Sequence, residues 1–448
     1  MRLPVIFARA SYFGIQKARR EPVDRVLAEL ERSQWFSREK LEDIQWYRLK
    51  RLIEHAYRHV PFYKKRLDDI GMEPEDIQSP ADIKNIPLLT KADVQRNAMN
   101  LMSKCEISRP STLASTSGSS GTPLKIYRDN ESWAYLHANI FRGLSWYGIK
   151  VGAPYAMVGG IGTGLQNYIK GRLKDLALNR IHLYASDISE KKCKKFLLGM
   201  QKFRPDYIYG YPTAIYDLAC MAHKEMIQFT RGMPQLVVVH GEELEPHQRE
   251  KIEKVFRTTV ANSYGCAEVG LLGFQCPQGS LHVPIESVFL EVQNGSTVVT
   301  DLFSFAAPMI RYDLGDTLHL MPDKCSCARG LPLFENLKGK LRQVIELRSG
   351  RRVHTVFFNS LFKDLAHMAA PIEKYQIVRK EGDQFLVRLQ AWDKLDKRIT
   401  DLLFKRLLER FGEDCRFELQ IVDNIERTHM GKYITYYEQE RISVDGQD

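Results

Sequence analysis

"STSGSSGTPLKIY", Ser115 to Tyr127, is the stretch on which the fold of this chain turns. Hydroxyl side chains and two glycines fill Ser115 to Thr122, and Pro123 then ends the run. Glycines let backbone N–H groups approach an anion closely, and Ser/Thr hydroxyls add further donors, so the composition suits a phosphate cradle. A flexible Ser/Gly linker has the same composition, and the surrounding sequence has to choose between them. Two standard phosphate motifs do not fit, since no Gly-Lys-Ser/Thr follows and Gly-x-Gly-x-x-Gly is absent. "GGIGTG", Gly159 to Gly164, has Leu165 where the last glycine belongs and reads as a tight βα turn.

Working outward, the 448 residues exceed what one hydrophobic core organises, so two domains are expected. Hydrophobic content of 44% and charged content of 27% belong to a soluble globular class and exclude wholesale disorder. No apolar run reaches the roughly 18 residues of a membrane span. The first twenty residues lack the apolar run of a cleaved signal, which places the chain in the cytoplasm. Their aromatics and arginines also allow a helix lying on a membrane surface. A net charge of +10 suits a polyanionic partner without naming one. "EKKCKKF", Glu190 to Phe196, reads as a solvated helix face, because the aromatic stacking platforms of single-strand nucleic-acid binders are missing. No specific nucleic-acid partner is therefore expected. Eight irregularly spaced cysteines form no disulfide framework.

Helical periodicity extends from Arg20 to about Ile70, Pro61 ending the run "LEDIQWYRLKRLIEHAYRHV" within it, and Thr90 is placed to cap another helix. "YAMVGG", "YIYGY", "QLVVVHG" and "TTVANSYG" are strand-like runs alternating with helical ones, which predicts α/β architecture with parallel strands. Shorter strands with Gly/Asn/Pro turns follow from about Leu281 to Leu320. A strand-strand-helix-strand run of "YQIVRK", "QFLVRLQAW", "KRITDLLFKRLLERFG" and "RFELQIV" then predicts a small α+β domain. The boundary falls near Gly339, dividing a large domain with mixed sheets (1–339) from a small, mobile one (340–448).

The Ser/Gly stretch resembles the signature loop of adenylate-forming enzymes, whose usual form is Ser/Thr-Ser-Gly-Ser/Thr-Ser/Thr-Gly-x-Pro. The resemblance implies that Ser117, Gly118, Ser119, Ser120, Gly121, Thr122 and Lys125 hold the phosphates of ATP. Companion motifs appear in the family's order. "VVVHGEEL" resembles the segment bordering adenine, with Gly241 and Glu242. "NSYGCAEVG" resembles Tyr-Gly-x-Thr/Ser-Glu, in which Tyr264 and Gly265 line the nucleotide and the catalytic Glu268 reaches Mg²⁺ or phosphate; Ala267 replaces the usual hydroxyl residue. "PMIRYDLGD" resembles the Arg-Tyr-x-x-Gly-Asp form of the phenylacetate-CoA ligase branch, with Arg311 beside the nucleotide and Asp316 clamping both ribose hydroxyls. "IERTHMGKYITYY" resembles the terminal motif whose lysine, here Lys432, stabilises developing charge in the transition state. "DYIYGYPTAIYDLA" is similar to that branch's segment before the acyl pocket, which Tyr209, Tyr211, Pro212 and Cys266 would line. The family hinge is altered: "GKLRQ" puts Lys340 in place of arginine and lacks the acidic pair, so a second half-reaction is less securely implied than adenylation.

Cys276, His282, Cys325 and Cys327 are three thiols and an imidazole in a turn-rich segment between about 264 and 330, the ligand chemistry of a closed structural zinc site. The alternative is four unrelated turn residues. The CapK-like group of homologues carries a similar zinc-binding set. The whole resemblance implies ATP-dependent activation of a carboxylic acid to an acyl-adenylate, with Mg²⁺. Transfer to coenzyme A would follow, or to an amine or hydroxyl in surface-polysaccharide assembly. A binding protein that keeps the fold without catalysis is the rival class. The oligomeric state is not legible.

Overall fold

The computed structural model describes residues 2–105, 112–115, 125–160, 165–185, 189–229, 234–293, 295–340, 344–368, 370–391, 393–426 and 434–439. The first part is helical: α1 (Val5–Ala18), α2 (Val23–Ser33), α3 (Arg38–His59) and α4 (Pro61–Asp68). The Ser37 hydroxyl accepts from the Lys40 N–H to cap α3. Pro61 begins α4, where a missing N–H costs nothing. Thr90 caps α5 (Lys91–Arg96) reciprocally with Asp93, as the sequence predicts. Val26, Leu30, Leu49, Leu52 and Ala56, spaced at helical intervals on α2 and α3, bury themselves in the first core.

A short antiparallel hairpin follows, β1 (Thr112–Ser115) and β2 (Lys125–Arg128), and then α6 (Asn130–Ser145). Next comes the alternating region. It consists of β3 (Tyr155–Val158), α7 (Leu165–Ala177), β4 (Arg180–Leu183), α8 (Glu190–Phe203), β5 (Tyr207–Gly210), α9 (Pro212–Lys224), β6 (Leu236–His240), α10 (Pro246–Phe256) and β7 (Thr259–Cys266). These five strands run parallel in the spatial order β4-β3-β5-β6-β7. β6 is buried at Leu236, Val237, Val238 and Val239, the continuous apolar run of a strand covered on both faces.

The chain then turns antiparallel through β8 (Gly270–Gln275), β9 (Leu281–His282), β10 (Val288–Gln293), β11 (Ser296–Asp301), β12 (Tyr312–Asp313), β13 (Asp316–Met321) and β14 (Leu333–Lys340). β8, β9, β14 and β13 extend the parallel strands into one nine-stranded mixed sheet, while β10, β11 and β12 form a separate three-stranded one. The last part comprises β15 (Val344–Glu346), β16 (Arg352–His354), α11 (Val356–His367), β17 (Ile372–Arg379), β18 (Gln384–Ala391), α12 (Lys397–Phe411), β19 (Arg416–Ile421) and β20 (Tyr436–Glu438). β17, β18, α12 and β19 match the predicted strand-strand-helix-strand run. Ile377, Phe385, Val387, Leu403, Leu407 and Phe411 give this part a core of its own. The architecture is the expected α/β arrangement, a large mixed-sheet portion followed by a small α+β portion. Among the described residues no helix is long and apolar enough to cross a membrane.

Candidate active site

Parallel strands end on the same side of a sheet, so the residues at or just past the carboxyl ends of β5, β6 and β7 are brought together by topology alone. These are Tyr211 and Pro212, Gly241 and Glu242, and Gly265 and Cys266. Because β4 and β5 lie on opposite sides of β3, the strand order reverses here, the kind of switch point at whose carboxyl ends α/β sheets bind ligands. Gly210 is required by packing: a Cβ there would lie 1.9 Å from the Val158 carbonyl oxygen of β3. Gly265 is required likewise, its Cβ falling 2.3 Å from the Gly270 oxygen. Gly241 leaves β6 at φ +78°, in the left-handed region.

Around these turns the side chains interlock. The His240 ring stacks on Tyr209 with centroids 4.4 Å apart, and Tyr211 leans on it at 5.4 Å. Burial pushes the Tyr209 phenol well above its usual pKa. The Glu242 carboxylate accepts from the Thr213 N–H at 3.3 Å and from its hydroxyl at 2.7 Å, so it sits at the positive end of α9. Thr213 and His240 lie within the quoted segments "DYIYGYPTAIYDLA" and "VVVHGEEL" but are not among the site residues those segments imply. Burial, with the Glu268 carboxylate second, pushes the Cys266 thiol well up, which keeps it protonated and unreactive.

The Tyr264 hydroxyl donates to Asp316 Oδ2. In sheet order β8, β9 and β14 separate these residues' strands, about 19 Å in a flat sheet at 4.8 Å per strand, so the sheet curls to bring them together. Gly273 permits the curl, because the Phe334 ring occupies the space where its Cβ would be, 2.2 Å away. Tyr264 packs beside that ring at 5.7 Å. Burial first, then the Asp316 charge, raises the Tyr264 phenol far above its ordinary pKa and fixes it as a donor. Lys340 lies directly opposite Asp316 in the β13–β14 ladder.

Arg128, which sequence reasoning missed, ties this corner to the hairpin. Its guanidinium donates to the Ala267 carbonyl at 3.0 Å and to the Ser132 hydroxyl at 2.6 Å, and pairs with Asp301 at 3.4 Å. The turn bearing Glu268 is thereby fastened to the end of β2. Ser115 and Lys125 face each other across the hairpin, so the ends of the Ser/Gly loop are fixed on the same framework. The loop residues Ser117, Gly118, Ser119, Ser120, Gly121 and Thr122 lie outside the described residues, as does Lys432. Arg311 faces the interior. Its φ of +54° turns the side chain inward, where the guanidinium donates to Glu291, Gln293 and the carbonyls of Lys84 and Ile86, and it is 1% exposed. All three guanidinium nitrogens are engaged in joining β10 to the Lys84–Ile86 segment.

Comparison with known proteins fits this geometry. Residues 345–436 match the family model of the CapK C-terminal domain. Protein CapK of Staphylococcus aureus is 22% identical over 88% of each chain. The phenylacetate-coenzyme A ligase of Thermus thermophilus is 25% identical over 77% of this chain and 80% of its own. The chain is thus similar to CapK and to phenylacetate-CoA ligases. Among solved structures, 2-hydroxyisobutyryl-CoA ligase in the postadenylation state with 2-HIB-AMP superposes with a TM-score of 0.71 at 17% identity, covering 92% of both chains. The same enzyme with 2-HIB-AMP and CoA in the thioesterification state gives 0.60 at 18% identity over 92% of both.

The four metal-ligand candidates converge. Cys276, His282, Cys325 and Cys327 place their donor atoms within 4.8 Å of one another. The pairing of β9 with β14 at His282 and Leu333 joins the two turns that carry them, 49 residues apart in sequence. Cys276 Sγ lies 3.7 Å from Cys325 Sγ, and Cys327 Sγ lies 3.3 Å from His282 Nε2. A tetrahedral ion with metal–sulfur bonds of about 2.3 Å requires a sulfur–sulfur edge of about 3.8 Å, so the donor set fits zinc. Burial holds the His282 imidazole down at about 4, the neutral form a metal requires. The α2–α3 turn covers the cluster: the Gln34 side chain accepts from Trp146 at 2.7 Å and from Arg329 at 3.2 Å.

Proposed function

We infer that this chain activates a carboxylic acid with MgATP and passes the acyl group to the thiol of coenzyme A. A carboxylate oxygen attacks the α-phosphorus, the bond to the β-phosphate oxygen breaks, and pyrophosphate leaves with the electron pair. The thiol sulfur then attacks the acyl carbon, its proton goes to solvent, and AMP leaves. The observation that carries this reading is the meeting of Tyr264 and Asp316 at the carboxyl end of β7, on the framework that anchors both ends of the Ser/Gly loop.

In this assignment Asp316 accepts from the ribose hydroxyls and Tyr264 holds that carboxylate in place. Gly241, Glu242 and Gly265 border the base, and Tyr209, Tyr211, Pro212 and Cys266 line the acyl side. Ser117 to Thr122 and Lys125 cradle the phosphates, with Lys340 close to the ribose. Lys432 supplies a cation to the reacting α-phosphate. Glu268, in the turn that Arg128 holds, is the carboxylate suited to Mg²⁺, which would neutralise charge on the departing pyrophosphate. Zinc at Cys276, His282, Cys325 and Cys327 would be structural, since four protein ligands leave no open position. Residues 340–448 would swing between the two half-reactions. The better superposition on the postadenylation form supports an adenylating arrangement here.

An amine or hydroxyl acceptor is the second reading. It is favoured by the hinge, which lacks the family's acidic pair, and by the greater reach of the match to CapK. Pyrophosphate release over a panel of carboxylic acids, with and without coenzyme A, tests both. Release with an acid and a thioester product support the first reading; release without thioester formation supports the second. No release with any acid contradicts both.

A further inference from the structure

α1 and its neighbour α7 present a surface that the adenylate site does not use. On α1 the inward face carries Ala8, Tyr12 and Gln16, and Tyr12 packs on Phe141 with ring centroids 5.0 Å apart. The outward face carries Ile6, Ala10 and Gly14 at intervals of four, with Phe7 beside them, and Ile6 is 72% and Phe7 66% exposed. The helix is firmly seated. The buried Asn179 amide donates to the Leu3 carbonyl at 3.1 Å and accepts from the Leu3 N–H at 2.9 Å. At Gly152 a Cβ would meet the Arg9 nitrogen at 2.5 Å, so the backbone of α1 rests directly on that turn. Ile6 and Phe7 are thus held outward on a fixed scaffold, and Leu173 on α7 is 63% exposed as well.

The charge around this face has one sign. Arg2, Arg9, Lys17, Arg19 and Arg20 are its five basic residues, and no acid occurs between Arg2 and Arg20. Nearby acids are already matched: Asp206 with Arg2 at 3.3 Å, Glu21 with Arg19 at 3.8 Å, and Asp175 with Arg180 at 2.7 Å. A second copy seated on this face would set Arg9, Lys17 and Arg20 against their own counterparts, which opposes self-association. A nucleic acid would leave the aliphatic tips in water. Exposed apolar side chains rimmed by cations match a surface that is apolar beneath and anionic on top.

We propose that α1 docks this protein on an anionic phospholipid bilayer, lying in the interface with Ile6 and Phe7 inserted. The test is co-sedimentation of the full chain with phosphatidylcholine vesicles made with and without phosphatidylglycerol. The expected result is binding to the anionic vesicles only, weakened by salt. Binding falls roughly fivefold for each charge removed in Arg9→Gln and Lys17→Gln. It falls by about tenfold or more in the Ile6→Ser/Phe7→Ser variant. Both positions are exposed, so an unchanged melting temperature and unchanged acid-dependent pyrophosphate exchange in solution show that the fold is intact. Absence of binding at low salt overturns the proposal, and so does binding that ignores Ile6 and Phe7. A dimer in sedimentation velocity that the double serine variant dissociates would assign the face to a second copy instead.

Discussion

At the scale of single residues, Tyr264 and Arg128 make the sharpest predictions. A hydrogen bond to a charged acceptor contributes about 1.5–3 kcal/mol, so Tyr264→Phe should lower kcat/KM for ATP roughly ten- to hundredfold without unfolding the protein. Steady-state pyrophosphate exchange at varied ATP checks this. Arg128→Leu should do more damage to stability, because it strands the buried Asp301 carboxylate; a loss of about 3–5 kcal/mol in urea denaturation is expected. Asp301 also gives a pH dependence. Burial lifts its carboxyl from 3.8 to about 6, with Arg128 opposing. The folded state therefore favours the protonated acid, and this contribution is complete below pH about 4 and lost as pH climbs through about 6, some 3 kcal/mol in all. Urea midpoints across that window should show a shallower slope for Asp301→Asn than for the wild type. Arg128 escaped the sequence reading because its partners, Ala267 and Asp301, are 139 and 173 positions away and no motif flags it. The inward turn of Arg311 was not legible either: a motif gives position along the chain, and only the structure shows the guanidinium buried among Glu291, Gln293 and the Lys84 and Ile86 carbonyls.

At the scale of elements, what was legible depended on burial. β3, β5, β6 and β7 are apolar runs between helices, and their carboxyl ends place Tyr211, Gly241 and Gly265 together without further information. β4 was not read, because Arg180–Leu183 is an edge strand with only Leu183 buried and shows neither an apolar run nor clean alternation. The metal set was legible as chemistry but not as geometry, since the pairing of β9 with β14 is what closes 49 residues of separation. If that set holds zinc, the metal cross-links the β8–β9 and β13–β14 turns. One zinc per chain should then be released by a thiol-modifying reagent, and Cys327→Ser should lower both zinc content and melting temperature. Adenylation at a temperature where the variant stays folded should change little. Gly210→Ala should be harsher on the site, because its Cβ would press the Val158 carbonyl and part β3 from β5; a cost of about 1–3 kcal/mol and weaker acid binding are expected.

At the scale of the whole molecule, the two portions meet at an ion pair. Lys374 on β17 lies 2.9 Å from Asp217 on α9, and both side chains are nearly buried. α9 begins at the candidate acyl pocket, so this pair links the position of the small portion to the site. Asp217→Asn should slow pyrophosphate exchange several-fold while sparing thioester formation from a supplied acyl-adenylate; single-turnover assays of each half-reaction separate the two. The measurement that bears most directly on the account is acid-dependent exchange of labelled pyrophosphate into ATP, compared between the wild type and Asp316→Asn. With a carboxylic acid that the wild type accepts, exchange should occur, and the Asn variant should lose about a hundredfold in kcat/KM for ATP. Exchange at the wild-type rate in Asp316→Asn, or none in the wild type with any acid, would contradict the placement of the nucleotide at the end of β7.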